Sequence, residues 1–383
     1  MLVKTFSAEV MGLEATTVTI EVNLTRGTMF HLSGLADTAV KESYDRIRAA
    51  IENIGLKPPT ASITINLSPA DIRKDGSGYD LPLAIGILAA HGKVSDTLLN
   101  DYMMIGELGL DGSLKPVSGI LSVAIRARKD QFKGLFVPRE NVREAAVVNN
   151  LDVYGMDNLV DVISFLNGSA LYEPTVVDTR QEFYEQQYSF DLDFADVKGQ
   201  EGVKRALEVA AAGGHNAILV GPPGSGKSMM ARRLPGILPP LSLAESLETT
   251  QIHSIAGKLP SGTSLISQRP FRSPHHTVSQ VALTGGTNKP RPGEVSLAHH
   301  GVLFLDELPE FNKSTLEVLR QPLEDRKITI SRARYTIEYP CSFMFVASMN
   351  PCPCGYYGDP THHCTCTPGQ ISRYLSKISG PML

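Results

Sequence analysis

Apolar and polar positions alternate along the start of the chain: residues 3–10 and 17–24 repeat with period two, punctuated by Gly12 and Gly27. Such alternation predicts half-buried β-strands. The period then changes. Behind Asp37, a good N-cap, Val40, Tyr44, Ile47, Ala50, Ile51 and Ile54 recur at helical spacing, with Arg46, Arg48 and Glu52 on the wet side, until Gly55 and Pro58-Pro59 end the run. A strand over 62–67, an apolar helix over 81–91, a short segment over 105–110 turning at Asp111-Gly112 and a helix over 120–128 follow. Two strand and helix pairs over 134–148 and 153–166 complete an α+β domain, residues 1–168.

Residues 169–193 carry Glu173, Asp178, Glu182, Glu185, Asp191 and Asp193 against Arg180, with Pro174 and little periodicity, and read as an acidic linker. From 194 onward a helix over 201–212 precedes three short apolar runs, 217–220, 302–305 and 343–348, which read as buried strands of an α/β sheet. Two alternating runs over 326–338 with a short turn between them predict a β-hairpin, preceded by a helix over 314–323.

Chemistry enters where these strands end. Gly221, Pro222, Pro223, Gly224, Ser225, Gly226, Lys227 and Ser228 fill the phosphate-binding pattern GxxxxGK[ST] directly after the first apolar run. Glycines let backbone N–H groups close around phosphate oxygens, Lys227 brings a cation to the outer phosphates, and Ser228 offers a hydroxyl to magnesium. The second run ends in Asp306, placed to orient magnesium, and Glu307, placed to activate water; the third delivers Asn350. Ligands of open parallel sheets sit at the carboxyl ends of strands, so these residues converge. Met229 and Met230 follow the phosphate loop; both read as core, with Met229 closing the nucleotide-binding stretch. ATP and magnesium are the expected ligands.

Length bounds the rest: 383 residues suit two or three domains. The start of the chain has no signal core, and no apolar stretch is long enough to span a bilayer. The expected location is therefore cytoplasmic, with no membrane partner. A net charge of -4 lacks a global nucleic-acid signature, so any DNA contact must be local. The hairpin supplies a local candidate in Lys327, Arg332 and Arg334, with Tyr335 beside them for stacking; the alternative is an ordinary solvated hairpin. Cys352, Cys354, Cys364 and Cys366 bracket a loop holding His362 and His363. They are either a zinc site or reduced thiols, while Cys341 reads as packing. The pairs His275-His276 and His299-His300 are expected in hydrogen-bonding or capping roles, because adjacent side chains diverge.

The order of Lys74-Asp-Gly-Ser-Gly-Tyr-Asp80 and Gly106-Glu-Leu-Gly-Leu-Asp-Gly112 resembles the Lon-protease-like fold, of the ribosomal S5 domain 2 type. In that resemblance the catalytic serine falls on Gly78 and the lysine on Leu121, with Ser77 one place early and Lys115 too near its strand. A serine without a base is inert, so the scaffold is expected to be non-proteolytic. Arg269-Pro-Phe-Arg-Ser-Pro-His-His-Thr277, Arg291-Pro-Gly-Glu-Val-Ser-Leu-Ala-His-His300, Leu305-Asp-Glu-Leu-Pro-Glu-Phe311 and the stretch Gln370 to Pro381 add a closer match. Together with the front domain the chain resembles the ComM (YifB) family of magnesium-chelatase-like AAA+ ATPases.

The resemblance implies an AAA+ core over 194–383, with Gly221 to Ser228 as Walker A, Asp306 and Glu307 as Walker B, and Asn350 as the polar sensor. It implies self-assembly into a ring hexamer and a DNA branch-migration function; a protein-remodelling or chelatase-like motor gripping a partner through the front domain is the alternative, and a nucleotide-dependent interaction module with negligible turnover a third. In the family the pattern continues past Gly380-Pro381 into a candidate arginine finger and a helical lid. With Leu383 as the last residue, the expectation is a core lacking its C-terminal lid that binds nucleotide and turns it over slowly.

Overall fold

A computed structural model describes residues 2–286, 290–332 and 335–378, with the side chains of 332 and 335 also left aside. The chain divides into two compact units, Met1–Thr179 with His253–Leu265, and Arg180–Ile252 with Ile266–Leu383.

In the first unit the alternating start of the chain forms β1 (Leu2–Met11) and β2 (Glu14–Thr25), paired antiparallel from Leu2 opposite Asn23 to Met11 opposite Glu14. With β3 (Phe30–Ser33), β4 (Ser62–Ser68), β5 (Tyr102–Met104), β8 (Gly134–Pro138) and β9 (Asp152–Met156) they build a seven-stranded mixed sheet, ordered β3-β4-β2-β1-β5-β8-β9. A separate ribbon joins β6 (Glu107–Leu108) to β7 (Leu114–Lys115). Helix Thr38–Asn53 begins as its pattern predicts: the Asp37 carboxylate accepts from the Val40 N–H at 2.8 Å. Its far end meets Gly55 in the left-handed region, where a side chain would be strained.

Helix Asp80–Ala90 is buried on every side, which explains why its sequence is apolar without a period. Gly86 lets it approach the sheet, because a Cβ there would lie 2.8 Å from Val22 Cγ2. The one carboxylate in this helix, Asp80, is fully buried; Arg46 reaches it with Nε and Nη2, both at 2.9 Å, and the Leu108 N–H donates at 3.2 Å. Arg46 therefore serves the interior rather than the wet face to which its helical position assigns it. Burial pushes the Asp80 carboxyl up against this pull, so the pair is an obligate partnership rather than a surplus.

Gly78, where the resemblance puts the dyad serine, packs against Ile105 and Val117, and Leu121, where it puts the lysine, is fully buried. Ser77 donates its hydroxyl to the Glu107 carboxylate. Lys74 is buried and spends its ammonium on the Leu67 and Pro69 carbonyls.

In the second unit β10 (Ala217–Val220), β11 (Phe271–Arg272), β12 (Val302–Leu305) and β15 (Met344–Met349) form a parallel sheet ordered β10-β15-β12-β11. The central strands β12 and β15 are buried throughout, as continuous apolar runs require. The expectation of burial fails for β10: it lies at the sheet edge, and Ile218 and Val220 remain 39% and 55% exposed. The predicted hairpin is β13 (Lys327–Arg332) against β14 (Tyr335–Pro340). The single helix expected before it is split into Lys313–Glu317 and Arg320–Asp325, because Pro322 has no N–H for the Val318 carbonyl. The acidic stretch is not wholly irregular: Thr179–Gln186 is a helix that buries Phe183.

Glu144, at the end of helix Val142–Ala145, is only 5% exposed and lines a cleft of about 250 Å³ shared with Asn141, Ser254 and Gly257. Burial raises its pKa to about 7, with Asn141 Nδ2 donating at 2.8 Å and Ser254 beside it offsetting only part of the cost. The native protein thus holds a proton that the unfolded chain releases above the ordinary glutamate value of 4.5, so stability falls as pH rises from there to about 7. Glu144→Gln is expected to stabilise the first unit by ~1 to 3 kcal/mol at pH 8 and to flatten this dependence, read as denaturation midpoints between pH 5 and 8. An unchanged pH profile would refute the assignment.

Candidate nucleotide site

The phosphate loop leaves β10 at Gly221 and enters helix Lys227–Ala231. Gly224 and Gly226 take φ values of +77° and +86°, a backbone path open to glycine and costly for other residues. The path brings Lys227 back over the loop, where its ammonium donates to the Gly221 and Pro222 carbonyls at 2.8 and 2.9 Å and to Asn350 Oδ1 at 3.2 Å. Partial burial lowers its pKa, and Asp306 and Glu307 oppose the shift. Ser225 Oγ is buried with no hydrogen-bond partner. An orphaned hydroxyl and a cation resting on carbonyls are what a loop shaped for phosphate oxygens would contain.

Asp306 ties the strands together. Ser228 Oγ donates to its Oδ2 at 2.7 Å, while Ser348 Oγ and the Glu307 N–H, the latter at 3.1 Å, donate to Oδ1. The serine and aspartate expected at magnesium are therefore adjacent, with oxygen donors suited to a hard cation. Glu307 holds φ +54°, an uncommon conformation for a glutamate, immediately beyond Asp306. Asn350 emerges from β15, which pairs with both β10 and β12, so sheet register alone brings the three motifs together.

Beside them a cleft of about 490 Å³ is lined by Glu307, Asn350, Arg373, Tyr374 and Lys377, among others. Ser348, Arg373 and Lys377 are absent from the sequence-based site. Ser348 had a signal, a polar residue inside an apolar strand; Arg373 and Lys377, on and after helix Pro368–Leu375, fall in the stretch Gln370 to Pro381 that carries the family resemblance, but nothing local placed them beside Glu307. Met230 is core, as expected, but Met229 is 40% exposed because it points away from the packed side of its short helix.

The other candidates separate. Lys327 is engaged by Glu338 across the hairpin at 3.0 Å; Arg334 and the Arg332 side chain lie outside the described residues. His299 Nδ1 accepts from the Ser342 N–H at 2.9 Å and His300 Nε2 meets Glu248 at 3.0 Å, hydrogen-bonding roles as expected, but the side chains do not diverge as expected: their ring centroids lie 3.7 Å apart and His299 Nε2 also faces Glu248, at 3.1 Å. Burial pushes His299 down to about 4. His275 Nδ1 lies 2.9 Å from the Thr277 hydroxyl. Cys341 is buried packing, its thiol pushed up to about 12. Arg272 clasps Glu294 at 2.6 and 2.7 Å, joining two segments that carry the family resemblance.

A parallel sheet with a GxxxxGK[ST] loop, an acidic pair and a polar residue at its strand ends defines a P-loop nucleotide-binding protein. The family description "Magnesium chelatase, subunit ChlI" matches residues 193–383, and "Subunit ChlI of Mg-chelatase" matches residues 20–141. The chain is 44% identical to Competence protein ComM of Haemophilus influenzae, over 99% of this chain and 74% of that protein. It is 46% identical to the uncharacterized protein YifB of Escherichia coli, over 97% and 72% respectively. Lon protease 2 of Bacillus subtilis is 31% identical over 38% of this chain and 27% of its own length. The chain belongs to the ComM/YifB family of magnesium-chelatase-like AAA+ ATPases. Among the described residues no helix is long and apolar enough to cross a membrane.

Ser348→Ala removes a donor to Asp306 while leaving the phosphate loop intact. ATP turnover is expected to fall ~10- to 100-fold, with nucleotide affinity within ~3-fold of the parent. Steady-state hydrolysis and fluorescent-nucleotide titration measure the two; wild-type turnover would show that Ser348 does not orient Asp306.

Proposed function

We propose that the chain binds ATP at Gly221 to Ser228, hydrolyses it, and couples hydrolysis to remodelling of branched or single-stranded DNA as part of a ring of identical subunits. The observation that carries the ATPase part is the hydrogen-bonded set of Lys227, Ser228, Asp306, Ser348 and Asn350 with Glu307 beside it. Lys227 exchanges the Gly221 and Pro222 carbonyls for the outer phosphates. Ser228 and Asp306 hold magnesium, which neutralises charge on the phosphates when bound. Glu307 accepts a proton from the attacking water, and Asn350 orients that water from the end of the neighbouring parallel strand.

DNA as the target is supported by two things: the hairpin with Lys327, Arg332 and Arg334, and the name of the Haemophilus relative, a competence protein. The first unit then acts as a non-proteolytic scaffold, consistent with Gly78 and Leu121 at the dyad positions. A second reading, a motor acting on a protein partner held by that unit, is favoured by the chelatase family descriptions and by the net charge of -4.

Glu307→Gln is expected to retain nucleotide binding and to lower turnover by at least ~100-fold. Single-stranded or four-way-junction DNA should stimulate the parent, and Arg332→Ala with Arg334→Ala should weaken DNA binding and flatten its salt dependence. Hydrolysis that depends on Glu307 yet ignores DNA would favour the protein-partner reading. Full turnover in Glu307→Gln would overturn the site.

A further inference from the structure

Two residues beyond Asn350 the chain enters a loop with almost no core of its own. Over residues 351–367 only Cys352 and Gly355 are buried, and the rest are partly or fully exposed. A segment this polar gains little order from burying apolar surface, and a bound metal would supply a constraint that its own core does not. Its four cysteines converge. Cys352 Sγ lies 3.4 Å from Cys354 Sγ and 3.7 Å from Cys364 Sγ, Cys354 and Cys364 are 3.5 Å apart, and all four sulfurs fall within 4.8 Å of one another.

These separations exclude a disulfide and fit the ligand spacing of a single metal ion. A disulfide would bring one pair to ~2.05 Å, and none is present. A cluster of several irons would hold its thiolates farther apart than a single ion does. Four thiolates around one zinc with bonds of ~2.3 Å sit ~3.8 Å from one another, close to the spacing here. The Cys354 N–H donates to Cys366 Sγ and the Tyr357 N–H to Cys352 Sγ, each at 3.3 Å, the outer hydrogen bonds that steady metal-bound sulfur. Of the two histidines in the loop neither joins the sulfur cluster, and His362 is otherwise occupied: its Nδ1 faces the Thr361 hydroxyl at 2.9 Å and its ring stacks on Tyr356.

We propose that Cys352, Cys354, Cys364 and Cys366 bind one zinc ion in a closed structural site that fixes the loop between Asn350 and the phosphate loop. The link to the nucleotide site is direct and rests on the reading of that site given above. Gly355, inside the loop at φ +90°, lies against the phosphate loop so closely that a Cβ would stand 2.5 Å from Pro223 Cδ. Asn350, at the other end of the link, accepts from Lys227. Zinc thereby sets where Asn350 and Pro223 stand relative to one another, without touching nucleotide.

The test begins with metal analysis of the full chain purified without chelator. About one zinc per chain is expected, released by a mercurial thiol reagent to a chromogenic chelator, with a tetrahedral-thiolate spectrum on cobalt exchange. Cys364→Ser with Cys366→Ser should drop zinc below ~0.1 per chain, and Cys341→Ala should retain it. Well under one zinc in the parent, with four free thiols, two disulfides or iron in its place, overturns the site; so does full zinc in the double serine variant. Gly355→Ala should keep the zinc and weaken fluorescent-nucleotide binding ~10-fold. Zinc bound with nucleotide affinity unchanged in Gly355→Ala and after zinc removal overturns the coupling alone, and leaves the metal site standing.

Discussion

The Asp306 carboxylate is the interaction on which the second unit depends. It stands at the end of a central strand and accepts from Ser228 on the phosphate helix, Ser348 on the neighbouring strand and the N–H of Glu307. Three chain segments far apart in sequence meet at one group, and each donor also satisfies a lone pair that would otherwise be desolvated at a cost. The same contacts hold Glu307 in its left-handed conformation and keep Ser228 beside the carboxylate. The polar groups of the site are thus gathered in advance, and ligand binding on the proposed reading exchanges partners, with Lys227 leaving the Gly221 and Pro222 carbonyls and Ser228 its bond to Asp306.

The first unit shows the same economy in a different setting. Its helix buried on every side carries a buried Asp80, and the structure answers with a two-pronged Arg46 and a backbone N–H from β6. The arrangement binds the helix Thr38–Asn53 to Asp80–Ala90 and to the 107–108 segment through one charge. At the two positions that the sequence resemblance assigns to a protease dyad, the structure has a glycine against the Ile105 and Val117 side chains and a leucine in the core.

Within the second unit the cysteine loop is the polar counterpart of the sheet. Burial on both faces orders β12 and β15, whereas the segment after Asn350 has no comparable apolar face. Four converging sulfurs and a glycine pressed on Pro223 connect this loop to the phosphate loop by geometry rather than by hydrophobic area. The basic hairpin stands apart from this set, with Lys327 neutralised by Glu338 along its described length.

Local pattern was enough for much of the molecule. Period-two runs marked β1, β2 and β4; the Asp37 cap and Gly55 bracketed the first helix almost to the residue; and GxxxxGK[ST], Asp306, Glu307 and Asn350 were legible because phosphate chemistry needs those types at strand ends. Other features were decided only in three dimensions. Nothing local marks β10 as an edge strand, since an apolar run looks the same at an edge and at the centre of a sheet until its neighbours are known. Arg46 could be assigned to solvent from helical phase but not to Asp80, a partner 34 residues away. Arg373 and Lys377 beside Glu307 are likewise long-range facts. The sequence by itself determined most of the elements around the site and its chemical groups, because backbone propensity and ligand preference are local properties; the tertiary structure decided which groups meet, because contact depends on strand order and packing that no short window contains.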